Sequence, residues 1–180
     1  MAKCVSDSNE GALQRAVLAG LCGGLAEVLW VAGYASFSPL SGEEVARQIT
    51  ASVIPTAADS ALAVAFGISI HFLLSVLLGM AFAWLVWRPF LKGRGVAERL
   101  LGPVAVLTLV WGVNFFAVLP FLNPAFVVLM PYGVTLASKI MFGFVMGLVL
   151  QFGSAGKAAG GARAVRWVRC SAVPRFSLLH

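Results

Sequence analysis

Charge is what this chain has least of. Of its 180 residues only 11% are Asp, Glu, Lys or Arg, against about 25% in a soluble domain. So few ionised side chains cannot build a water-facing surface, which excludes a soluble globular protein. Acidic residues are the scarcer sign, 7 against 13 basic ones, leaving a net charge of +6. In so apolar a chain that excess is first explained by positively charged cytoplasmic loops, and no nucleic-acid partner is expected.

Cysteine and histidine are nearly as scarce. The three cysteines, Cys4, Cys22 and Cys170, show no CxxC or other metal spacing and read as free thiols. Of the two histidines, His71 and His180, the second is terminal, which disfavours a bis-histidine haem. A pair of His71 with Met80, Met130 or Met141 is the remaining haem arrangement, although methionine at such places more often fills a core. The chain also lacks HExxH, GxSxG and a phosphate loop, since Gly156-Lys157 has neither the spacing nor the hydroxyl that Mg²⁺ requires. Ser75 stands four residues after His71, but with no orienting acid or oxyanion hole it reads as packing plus a local hydrogen bond. No enzyme activity, cofactor or metal is expected.

What the chain does have is hydrophobic length. From Ala61 to Trp87 the one ionisable side chain is His71, and a run of about 20 apolar residues crosses a hydrocarbon core about 30 Å thick. Every fourth position there is Ala63, Gly67, His71, Ser75, Gly79, Ala83, one face of a helix. Small residues let helix backbones approach closely in lipid, so this face meets another helix and His71 points into protein. The first span repeats the pattern with Ala12, Ala16, Gly20 and Gly24, beside a second row of Ala19, Gly23 and Glu27. A secretory signal peptide is the competing reading of this first run. Its apolar length exceeds the roughly 7 to 15 residues of a signal core and it carries a carboxylate, so it is read as a retained span.

After Ser38-Pro39, Ser41 and Glu44 have capping-box spacing, and Val45, Ile49 and Val53 repeat at helical spacing before Pro55. This predicts a short amphipathic helix on the outer surface, either a cover for the core or a gate. The expected architecture is therefore all-α: an integral membrane four-helix bundle with spans at about 14–36, 61–87, 101–119 and 127–152, and the amphipathic helix at about 41–54. These form one domain, 1–152, followed by a basic tail, 153–180, in which Arg163, Arg166 and Arg169 suit anionic lipid headgroups. The loop with Arg88, Lys92, Arg94 and Arg99 is basic like the tail, whereas the loop with Glu43, Glu44 and Asp59 is not. The positive-inside rule then places both termini in the cytoplasm.

Ionisable groups inside a membrane are costly and mark sites. Counting about 1.5 Å of rise per residue, Glu27, His71, Asn114 and Lys139 fall within roughly 6 Å of the midplane on its outer side. Lys139 shares a row with Gly143 and Gly147. A Glu27–Lys139 ion pair is expected, with His71 and Asn114 filling the remaining hydrogen-bond positions, because an unpaired charge in low dielectric would rather neutralise. The layer serves either as register-setting glue or as a binding or proton-relay site. Aligning His71 with Lys139 also places Ser75 on Gly143 and Gly79 on Gly147, as a duplicated hairpin would.

Two patches, His71-Phe72-x-x-Ser75-x-x-x-Gly79 and Asn114-Phe115 followed by Pro120, Pro124, Phe126 and Phe142-Gly143-x-x-x-Gly147, resemble small bacterial inner-membrane proteins of the YagU type. The resemblance implies a multi-pass protein of the bacterial inner membrane with no established biochemical activity. It also implies histidine at the position of Lys139 in many relatives. The function expected is that of a non-enzymatic accessory or scaffolding subunit, packed through its glycine faces against a larger membrane complex or a second copy. The alternatives are a small proton-coupled or solute transporter using Glu27, His71 and Lys139, and a haem- or quinone-binding membrane subunit.

Overall fold

The computed structural model describes residues 2–170, with side chains from 10 to 152. The headgroup contacts expected of Arg163, Arg166 and Arg169 lie outside the described side chains, as do Cys4 and Cys170, while Cys22 is a free thiol. The described residues are helical, without strands: α1 (Ala2–Ala35), α2 (Gly42–Val53), α3 (Ala63–Phe82), α4 (Val96–Val113), α5 (Leu119–Leu122), α6 (Pro124–Leu129) and α7 (Tyr132–Cys170). A π-helical stretch, Ala83–Leu91, prolongs α3, and another, Asn114–Val118, joins α4 to α5. Four segments are long and apolar enough to cross a membrane: Glu10–Ala35, Ala63–Leu91, Val96–Leu122 and Tyr132–Phe152.

Two boundaries differ from the sequence reading for reasons that proline makes plain. The third span begins at Val96 and not near 101, because the Gly95 N–H donates to Glu98 Oε2 at 3.0 Å and starts the helix ahead of Pro103. Glu98 in the first turn also faces the positive end of the helix dipole. Pro103 then lies buried inside α4, where its missing N–H cannot serve the Arg99 carbonyl. That carbonyl lies 3.1 Å from where a Cβ on Gly147 would be, so a side chain there would press α4 back by a few tenths of an ångström. The fourth span begins at Tyr132 and not at 127, because Met130, ahead of Pro131, is extended at φ −105° and ψ 120°. Residues 124–129 become the separate helix α6, N-capped by Asn123, whose Oδ1 accepts from the Phe126 N–H at 3.2 Å.

The long helices are ordered α3, α1, α7, α4 across the bundle, each pair of neighbours antiparallel. The two small-residue rows of α1 serve different partners. Gly20 and Gly24 take α3: a Cβ on Gly20 would strike the Ser75 carbonyl, and one on Gly79 would lie 2.7 Å from Gly20 Cα. Gly23 takes α7, where the buried Phe142 ring occupies the place of its missing side chain. Gly143 of α7 in turn meets α4, its Cβ position 2.8 Å from Val104 Cα.

At one end of the bundle the Ala83–Leu91 stretch touches α4 and closes the row into a ring. The apolar core sits there, with Ala16, Ala19, Trp87, Leu107, Met146 and Leu150 among its buried members. At the other end α3 and α4 splay apart, and α2, α5 and α6 fill the mouth between them. The α2 helix is fixed to α3 at two points. The Ala46 carbonyl sits where a side chain on Gly67 would be, and the buried Thr50 hydroxyl donates to the Ala63 carbonyl at 2.6 Å. Its other flank is held by Asn123, whose amide shares its two protons among the Gln48 carbonyl at 3.0 Å, Gln48 Oε1 at 3.0 Å and Ser52 Oγ at 3.1 Å.

Candidate functional site

Beneath α2, where the long helices diverge, lies a cavity of about 610 Å³. That volume is in the usual range for small-molecule sites, about 300 to 1,000 Å³. Its walls are apolar side chains such as Val28, Val31, Ile49, Val64 and Leu119. Glu27, His71, Asn114 and Lys139, one from each long segment, all reach it, so the four polar groups picked out along the sequence face one space.

Their bonding differs from the network expected of them. Lys139 Nζ donates to both carboxylate oxygens of Glu27 at 2.6 Å. The further position on that carboxylate goes to Ser138, whose hydroxyl is shared between Glu27 Oε1 at 3.1 Å and the Thr135 carbonyl at 2.7 Å. His71 turns instead to the first span, with Nε2 3.1 Å from the Gly24 carbonyl. A carbonyl only accepts, so Nε2 carries the proton and, in the neutral ring, Nδ1 is left as an acceptor. Asn114 joins none of this: its side chain makes no hydrogen bond among the described residues, although it borders the cavity.

Local sequence explains each placement. Glu27 is four residues beyond Gly23 and therefore on the row that faces α7. Lys139 is one turn before Phe142, whose ring fills the Gly23 gap and lies 5.7 Å from the ammonium. His71 is one turn before Ser75, whose hydroxyl donates to the His71 carbonyl at 2.8 Å. Gly24 leaves room for both side chains, its Cβ position being 2.5 Å from Ser75 Oγ and 3.5 Å from His71 Nε2. Asn114 opens the π-helical stretch Asn114–Val118. Such wide turns inside helices frequently accompany functional sites.

The ion pair is shielded but not sealed, with side-chain exposure of 21% for Lys139 and 12% for Glu27. Other hydroxyls around it are already engaged. Thr135 donates to the Tyr132 carbonyl at 3.0 Å and accepts from Trp111 Nε1 at 3.0 Å, while Trp30 Nε1 donates to the Val134 carbonyl at 3.0 Å and pins α1 to the start of α7. No group of three or more metal-ligating side chains occurs among the described residues.

Ser138, Thr135 and Asn123 are not among the site residues that the sequence points to. Asn123 carried a readable signal, an N-cap residue followed by proline at the first helical position. Ser138 carried none, because a serine beside a lysine in a span is common packing material. No family model, curated protein or solved structure matches the chain.

Proposed function

We propose that this is a multi-pass membrane protein that holds a small amphipathic molecule in the cavity beneath α2 and performs no chemistry on it. One observation carries the reading: an apolar chamber of about 610 Å³ whose polar groups include an amide, Asn114, with no hydrogen-bond partner among the described residues. The Asn114 side chain is half-buried and open to the chamber, so its amide is free to hydrogen-bond a ligand held there. The glycine seams that argued for a scaffolding subunit are occupied within the chain, Gly20 against Gly79 and Gly143 against Val104. That shifts the weight from a partner protein to a bound molecule. A carrier role is compatible with the same site, but α2 is tied down on both flanks, at Ala63 and at Asn123. This favours holding over rapid passage.

Native mass spectrometry of the protein extracted in mild detergent tests the reading. A small molecule should accompany the wild type and be lost from Val118→Trp, which fills the cavity from its rim. An empty wild-type protein that travels with a second polypeptide overturns it in favour of the scaffold.

A further inference from the structure

The chemistry lining the cavity is selective, and it narrows the class of molecule that fits. We infer that the occupant is an uncharged amphiphile with a carbonyl-bearing head, a lipid-soluble quinone or an acylglycerol, which enters sideways from the acyl chains between α3 and α4. This rests on the proposed function and specifies its ligand.

The argument against a charged head starts from the ion pair. Apart from Glu43 at the mouth, the charged side chains on the cavity are Glu27 and Lys139, and each already neutralises the other at 2.6 Å. An anionic head would bring a second negative charge to an ammonium already engaged, and a cationic head would find a carboxylate already engaged. Either would be desolvated without a counter-charge of its own, which an apolar site penalises heavily. A neutral head avoids that cost.

The argument for carbonyls is a count of protons. The Ser138 and Thr135 hydroxyls direct theirs to Glu27, the Thr135 carbonyl and the Tyr132 carbonyl, and His71 Nε2 directs its own to Gly24. The side-chain donors that remain on the lining are the Asn114 amide group and the third ammonium hydrogen of Lys139, which call for acceptors on the ligand. Asn114 Oδ1 and His71 Nδ1 stay available to accept from a hydroxyl, which an acylglycerol has and a quinone lacks.

The argument for lateral entry comes from the rim. Ile68 and Leu74 of α3, and Val118 and Leu122 across the gap, line the cavity and are at the same time 45%, 53%, 39% and 60% exposed. They are therefore the edges of an opening. That opening faces sideways along the spans, since α3 and α4 are bridged at the far end through Ala83–Leu91. An apolar tail can lie across these edges in lipid while the head reaches the polar groups.

The test uses purified full-length protein in detergent and reads the thermal unfolding midpoint against ligand concentration. The probes share a ten-carbon tail: an alkyl benzoquinone, a monoacylglycerol, an alkyl phosphate and an alkyl trimethylammonium. The expected result is a saturable rise with the quinone or the monoacylglycerol, whichever is the better source of the carbonyl head, and none with the two charged probes. In Asn114→Ala, which removes no hydrogen bond from the fold, the same probe should bind about tenfold more weakly, as the loss of one hydrogen bond implies. Preferential stabilisation by a charged probe overturns the ligand class but leaves the cavity reading in place. Unchanged affinity in Asn114→Ala overturns the head-group assignment. No response to any probe overturns the ligand class, and the cavity reading falls with it only if the natively extracted protein is also empty.

Discussion

Glu27 and Lys139 are 112 residues apart in sequence and bring two formal charges together between the first and last long helices. Such a pair is weak support for stability while intact, because both ions have been taken out of water, yet removing one member strands the other. Glu27→Gln and Lys139→Met should therefore each destabilise the protein by about 3 kcal/mol, and the double variant Glu27→Leu/Lys139→Met should recover most of that loss. Chemical unfolding in mixed micelles followed by circular dichroism checks this, and strict additivity of the single effects is the contrary result. That a carboxylate and an ammonium would meet is legible from the cost of burying either alone. That Ser138 and not His71 completes the carboxylate's shell is not legible, since it depends on how α3 and α7 are turned against α1.

Among the elements, α2 is the one whose role changes most between sequence and structure. Its amphipathic spacing and its Ser41 cap, which accepts from the Glu44 N–H at 3.1 Å, are readable directly. Its attachments are not. They join Thr50 to Ala63 and Gln48 and Ser52 to Asn123, and the second set spans more than 70 residues of chain. Since Asn123 is buried and its amide shares two protons among the Gln48 carbonyl, Gln48 Oε1 and Ser52 Oγ, Asn123→Ala should release the α5–α6 side of α2 while Thr50 keeps the α3 side closed. At about 1 kcal/mol per net hydrogen bond, amide exchange in α2 should quicken by tenfold or more while exchange in α1 and α7 is unchanged. Equal acceleration throughout the bundle would mean that Asn123 supports the whole fold and not this one cover.

For the whole molecule, the distribution of basic residues implies an orientation that we propose for a bacterial inner membrane: the Arg88–Arg99 end inside and the α2 end outside. With Cys4, Cys22 and Cys170 replaced, an impermeant maleimide added to intact cells should modify Ser41→Cys and spare Gly93→Cys. The reverse pattern refutes the assignment and would put the cavity mouth on the other side of the membrane. The chain by itself determined that there are four long apolar helices, because hydropathy and helical periodicity are local properties that sum along a segment whatever it packs against. It also determined which residues are costly enough in an apolar interior to demand partners. Only the tertiary structure decided which glycine row meets which helix, that the bundle closes at one end and opens at the other, and that Asn114 faces the chamber without a partner among the described residues. Those outcomes depend on the relative rotation and tilt of helices distant in sequence, where a shift of one residue exchanges one small face for another with almost no change in any local preference.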